Sequence, residues 1–240
     1  MGHSDSKTST SEQVAALWLK SGGRGLDTAW SYHNQDEIGK AVRASNIPRG
    51  EIFVTTKIPC CHTTAEAQRY VATNLQQLKM RYVDLTLIHN PRGCTGPQIM
   101  ATYDALRQAR VANQTRAIGV SNFDASQLAL LLTQDPPPAV NQCSMSIGNH
   151  DDVTIKFCID HNIRYQAYSP LRHGSFNNPT VQTIATAHNV TTAQVALRWI
   201  TQRGAALATS SDSATYDLQD LDVLTKFSLS MSEMVQLNGI

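Results

Sequence analysis

The strongest constraint on this chain is a rhythm. Between Arg24 and Ala208, short β-branched apolar runs alternate with stretches of helical period, and the loops joining them are short. Strand, helix, strand in close succession requires parallel pairing with right-handed crossovers. The predicted strands are Arg24–Asp27, Ile52–Lys57, Tyr82–His89, Arg116–Val120, Ala139–Gln142, Ile163–Tyr168 and Ala205–Ala208. That is about seven, whereas a closed α/β barrel of the (β/α)8 TIM type has eight. A helix stands where a first strand is expected, so the barrel is read as incomplete, with a slot in its core and two unpaired edges. Irregular use of the N-terminus, a covering partner and a truncated form all stay open as explanations. The alternative fold is an open doubly wound sheet. No Gly-x-Gly-x-x-Gly follows any strand, so a Rossmann site has no support.

The helices announce themselves by their caps. Thr10 with Gln13, Thr63 with Glu66 and Ser230 with Glu233 have capping-box spacing. Further helices are predicted over Asp36–Ala44, Gln98–Val111, Ala125–Thr133 behind Asp124, after Asp151-Asp152, and over Pro179–His188 and Ala193–Gln202. Residues 1–9 read as a disordered lead and 10–240 as one barrel domain.

Composition narrows the function. The formal net charge is +1 without runs of like charge, which argues against nucleic acid or an anionic membrane as partner. No apolar stretch is long enough to cross a bilayer, and the N-terminus lacks the apolar core of a signal peptide. Five cysteines are scattered, with no Cys-x-x-Cys, and Cys60-Cys61 is a vicinal pair unsuited to a disulfide. A reduced, cytoplasmic setting is expected. Cys94, Cys143 and Cys158 have no zinc spacing, and His150-Asp151-Asp152 reads as a helix cap rather than a metal site.

Chemistry concentrates between Gly25 and His89. Asp27, Lys57 and His89 each stand where a short apolar run stops, and Tyr32 follows the first run within one loop. Four proton-handling groups therefore leave three consecutive strands at one barrel end, the face where such barrels carry their active sites. Read singly, Lys57 is a strand-end lysine reaching solvent, and His89, in phase with Val83, Leu85 and Leu87, is a core histidine. Read together, they are a site. Asp84 reads as structural.

At this point the residues resemble the aldo-keto reductase family. Asp27-Thr28-Ala29 with Tyr32, Thr56-Lys57, Leu87-Ile88-His89-Asn90-Pro91, Ile118 to Phe123, Ala139 to Gln142 and Ala167 to Leu171 match its motifs in order, from about Thr10 onward. The resemblance implies a (β/α)8 barrel that reduces an aldehyde or ketone with a nicotinamide cofactor, usually NADPH, without a metal. By resemblance Tyr32 is the acid/base, Lys57 its electrostatic partner, Asp27 the anchor of Lys57, and His89 the group that positions the substrate oxygen. Ser121, Asn122 and Gln142 match the holders of the nicotinamide carboxamide. Tyr168 matches the ring stacked on the nicotinamide, and Ser169 and Leu171 open the loop over the pyrophosphate. The chemistry suits these types: hydride delivery leaves charge on the carbonyl oxygen, and a donor must meet it there. An ammonium beside a phenol favours the phenolate.

Three departures stand out. The family's opening hairpin and first strand are absent. The loop that grips the 2′-phosphate reads Thr209-Ser210-Ser211-Asp212-Ser213-Ala214-Thr215-Tyr216, without a cation; NADH therefore stays open beside NADPH, with Arg172 or His173 as substitutes. Asn90 stands for the usual Trp, and Ser146-Ile147 for His-Pro, so a polar, open substrate pocket is expected. Two rival functions follow: acid/base chemistry without redox, as in an isomerase, dehydratase or cyclase, and a non-catalytic binding protein. The oligomeric state is not legible, and a partner covering the open barrel edge remains an option.

Overall fold

The computed structural model describes residues 9–172 and 175–240. Of the expected lead, residues 1–9, all but Ser9 lie outside the described residues, as does His173. The chain opens with α1 (Ser11–Lys20), capped by Thr10, whose hydroxyl accepts from Gln13 N while the Gln13 side chain accepts from Thr10 N. After a turn through Gly22 at φ +103° come β1 (Gly25–Asp27), α2 (Gln35–Ala44), β2 (Phe53–Ile58), α3 (Thr64–Leu78) and β3 (Val83–Ile88). The alternation continues through α4 (Gly96–Val111), β4 (Thr115–Ser121), α5 (Ala125–Ala129), β5 (Val140–Ser144), α6 (Asp152–Asp160) and β6 (Arg164–Tyr168). It ends with α7 (Pro179–His188), α8 (Thr192–Gln202), β7 (Ala206–Ala208), α9 (Ala214–Asp222) and α10 (Met231–Asn238).

All seven strands pair in parallel, each with its neighbour in sequence, from β1 to β7. The result is a nearly closed barrel. β3 is buried along its full length, as a central strand covered on both faces must be. β4 and β5 approach so closely at Gly119 that a Cβ there would lie 2.4 Å from the Val140 carbonyl oxygen, which explains the glycine. Asp84, on β3, is structural as read: its carboxylate accepts from Arg49, Arg116 and the Val54 amide.

The edges β1 and β7 do not pair. Between them runs a slot of about 530 Å³ lined by Leu26, Asp27, Gln166, Leu207, Asp217 and Leu221. The slot expected from the strand count is therefore present, and α1 and α9 flank it from outside.

Four readings need correction. Residues 214–222 form α9, whereas the loop expected over Thr209–Tyr216 includes its first turn and no helix is expected beyond it; the Ser213 side chain makes no capping bond, so the usual start signal is missing. The Ala125 helix stops at Ala129 rather than Thr133. At Thr63 only half of the capping box forms, because Glu66 reaches past it to the His62 amide. Last, the cysteines are not all free: Cys60 and Cys94 form a disulfide, Cα atoms 6.6 Å apart, while Cys61, Cys143 and Cys158 are free and buried. The two partners lie 34 positions apart and meet because the loops after β2 and β3 leave the barrel at the same end. No helix among the described residues is long and apolar enough to cross a membrane.

Candidate active site

Asp27 ends β1, Lys57 is the penultimate residue of β2, and His89 follows β3 directly. Tyr32 closes a short 3-10 turn, Trp30–Tyr32, that leaves β1. Parallel register does the rest: Asp27 pairs with Thr55 and Lys57 with Leu87, so three strand ends come level. The four groups meet. Lys57, 1% exposed, forms an ion pair with Asp27 Oδ1 and donates to the Thr28 carbonyl at 3.1 Å. Its Nζ lies 3.5 Å from Tyr32 Oη and 4.9 Å from the centre of the Tyr32 ring. Tyr32 Oη in turn lies 3.5 Å from His89 Nε2, and Ser31 Oγ lies 3.2 Å from His89 Nδ1.

The electrostatics follow from burial and from the ion pair. Burial raises the Asp27 carboxyl, but the Lys57 ammonium and hydrogen bonds from Lys57 and Gln142 outweigh it and hold the group below its usual range. Burial lowers His89, the nearby Lys57 ammonium lowers it further, and the result is about 4. His89 is therefore a neutral imidazole at pH 7, able to donate from one ring nitrogen and accept at the other.

Four of the expected cofactor residues, Ser121, Asn122, Gln142 and Tyr168, are linked by hydrogen bonds. Ser121 Oγ donates to the Gln142 carbonyl at 2.7 Å, joining β4 to β5. Asn122, in the left-handed region at φ +63°, donates to the His89 carbonyl at 2.9 Å and accepts from Tyr168 Oη at 2.8 Å. Gln142 is already engaged: its amide donates to Asp27 Oδ2 at 2.7 Å and to Gln166 at 2.9 Å. Asn141, by contrast, is a sheet-end binder whose amide donates to the Phe123 carbonyl. Ser169 sits at φ +53° and turns the chain into the loop that carries Leu171 and Arg172.

Two cavities meet at Tyr32, Gln142 and Tyr168. One, of about 360 Å³, runs past Ser169, Leu171 and Arg172 to Thr209 and Ser210. The other, of about 510 Å³, opens past Trp30, Cys60, His89, Asn90 and Arg92. The first suits a dinucleotide. Ser169, Thr209 and Ser210 bring hydroxyls to it, and Arg172 is the sole cation among the described residues lining it. Asp212, Thr215 and Tyr216 bring no cation, as the sequence indicates.

Sequence reasoning missed Ser31, Gln166, Trp30, Arg92 and Cys60. Ser31 carried the one usable signal, since it directly precedes Tyr32 in the same turn. Gln166 and Cys60 reach the site only through contacts between distant segments.

A parallel barrel with a buried lysine, a carboxylate, a phenol and a neutral imidazole at its C-terminal mouth defines a class: barrel enzymes built for proton-coupled chemistry. Comparison with known proteins narrows it. The sequence model of the Aldo/keto reductase family matches residues 2–240. An aldo-keto reductase of Mycobacterium marinum is 37% identical over 242 residues, covering 100% of this chain and 84% of its own length. Among solved structures, an aldo-keto reductase from a Medee basin deep-sea metagenome library aligns with TM-score 0.90 at 32% identity, over 96% of this chain and 87% of that one. An aldo/keto reductase from Brucella melitensis gives 0.90 at 30% identity, over 96% and 90%. This chain belongs to the aldo-keto reductase family, and it is an oxidoreductase of that barrel type. The family generally works with NAD(P)H on small carbonyl compounds.

Proposed function

We propose that this protein reduces an aldehyde or ketone to the alcohol with NADPH, using Tyr32 as the proton donor. The observation that carries the reading is the contact chain Asp27–Lys57–Tyr32–His89, in which Lys57 Nζ and His89 Nε2 each lie 3.5 Å from the phenol oxygen.

A nicotinamide cofactor, when bound, would supply hydride to the carbonyl carbon. The chain's own residues do the rest. Tyr32 Oη gives its proton to the carbonyl oxygen as negative charge develops there. The Lys57 ammonium stabilises the phenolate left behind, and Asp27 and the Thr28 carbonyl hold that ammonium in place. His89 faces the same oxygen. With Nδ1 accepting from the Ser31 hydroxyl, the Nε2–H tautomer aims a donor at the substrate. Tyr168, Asn122, Ser121 and Gln142 would hold the nicotinamide ring and its carboxamide, and Ser169 and Leu171 would border the pyrophosphate.

Because the loop from Thr209 to Tyr216 offers no cation, the preference for NADPH over NADH is expected to be slight, within about tenfold, which is the worth of one charge-assisted contact. The test is the loss of nicotinamide absorbance with a panel of small aldehydes and ketones, with each cofactor. Tyr32→Phe should retain cofactor binding and lose about 10²- to 10⁴-fold in kcat. No turnover of the whole panel with either cofactor ends the reading. The cation-free clamp also favours a second reading, acid/base catalysis without redox. Activity that survives removal of nicotinamide but not Tyr32→Phe would establish that reading instead.

A further inference from the structure

The cavity on the substrate side of Tyr32 contains a charge that the protein does not answer. Arg92 lines it together with Trp30, Cys60, His89 and Asn90. No Asp or Glu is among the described residues lining it, and His89 is neutral there at pH 7. Arg92 joins none of the ion pairs formed among the described residues. Its side chain is exposed, so it is not spent on packing.

The backbone beneath Arg92 is unusually well held for a rim loop. Its amide donates to Asn90 Oδ1 at 2.8 Å, and the Cys94 amide donates to the Pro91 carbonyl at 2.9 Å. Gly93 takes φ +80°, which closes the turn. Cys94 is then bonded to Cys60, a lining residue of the same cavity, and Thr95 caps α4 one position later. A free guanidinium on a pinned turn, facing an acid-free cavity with an aromatic wall at Trp30, is an arrangement for reading an anion.

We infer that Arg92 sets substrate preference and that the favoured carbonyl compound carries a carboxylate, which the guanidinium takes in a two-pronged, charge-assisted contact. A carboxylate fits because its two oxygens match the planar fork of the guanidinium. The inference rests on the reductase reading for its catalytic readout but not for its binding readout. Arg92 performs no proton transfer; it acts on which molecule stays in the cavity.

The test compares 4-carboxybenzaldehyde with its methyl ester, in which a methyl group removes that charge. For the native protein, kcat/KM for the acid should exceed that for the ester by about tenfold, the worth of one hydrogen bond to a charged group. The excess should lie in KM and should shrink as salt is added. Arg92→Gln should bring the two substrates within about twofold, and Arg92→Lys should keep part of the preference. Opening the Cys60–Cys94 bond, with dithiothreitol or by Cys94→Ser, should reduce the preference because the turn loses its anchor. A second readout needs no turnover: benzoate, titrated against benzamide, should quench Trp30 fluorescence more strongly in the native protein than in Arg92→Gln. If both aldehydes are reduced at the same rate, or if Arg92→Gln leaves the acid's advantage intact, the inference falls while the reductase reading stands. If neither aldehyde is reduced and benzoate binds no better than benzamide, both fall.

Discussion

Asp84 and Asp217 are each 3% exposed, and they belong to two differently built regions. Asp84 lies in the β2–β4 wall. Arg49, Arg116 and the Val54 amide satisfy its carboxylate, and Tyr82 stacks under both guanidiniums at 4.4 Å. Asp217 lies on α9, beside the seam between β7 and β1. Its Oδ2 has no hydrogen-bond partner, and burial, with Asp212 nearby, raises its pKa. Asp220, one turn further, is raised to about 6 by burial and by Asp217. Burying a carboxylate is tolerable where partners were folded in with it and costly where they were not. The wall is finished; the seam is not. Of the four candidate catalytic groups, Lys57 and His89 belong to the wall, while Asp27 and Tyr32 leave the edge strand β1. Asp27 is tied inward by Lys57 and across the barrel by Gln142.

Four experiments would break or sharpen this contrast. Lys57→Met should have the largest effect: a loss of about 10³-fold in kcat, and about 3 kcal/mol of stability because the Asp27 carboxylate loses its ion-pair partner. If urea titration finds no loss of stability, solvent in the seam already hydrates Asp27 and β1 belongs to the open side. Asp84→Asn should cost about 2–3 kcal/mol by the same measurement, since two guanidiniums lose their counter-charge.

The third experiment is acidification. The His89 pKa is depressed from 6.5 to about 4. Its contribution to stability is therefore fully present above pH 6.5 and lost as the pH falls to about 4. The full shift corresponds to about 3 kcal/mol, and solvent at the barrel mouth reduces that. His89→Gln should flatten this part of a stability–pH curve. The smallest effect has the opposite sign. Asp217→Asn should stabilise the protein by about 1 kcal/mol at pH 8. A carboxyl with a raised pKa favours the fold at low pH and opposes it at high pH, so the gain should vanish below about pH 4. A destabilised Asp217→Asn would mean that the seam is closed by something that uses this carboxylate.

Much of this was legible in the sequence, and unevenly so. Strand positions were recovered to within a residue or two because each is a short run with apolar residues, set between helical stretches and turn residues. Asp27, Lys57 and His89 were legible because a polar group that ends an apolar strand in a parallel barrel has to emerge at the mouth. Distant partnerships were not. Gln142 fits a carboxamide holder by type, but its bond to Asp27 spans 115 positions, and no local pattern encodes it. The Cys60–Cys94 bond was missed for the same reason. α9 was missed because Asp217 occupies one of its inward positions, where an apolar residue would have revealed the helical period.

Asp27 lines the slot as well as the cavity that leads to Arg172, so the ion pair with Lys57 borders open space on two sides, one at the barrel mouth and one at the unpaired edge.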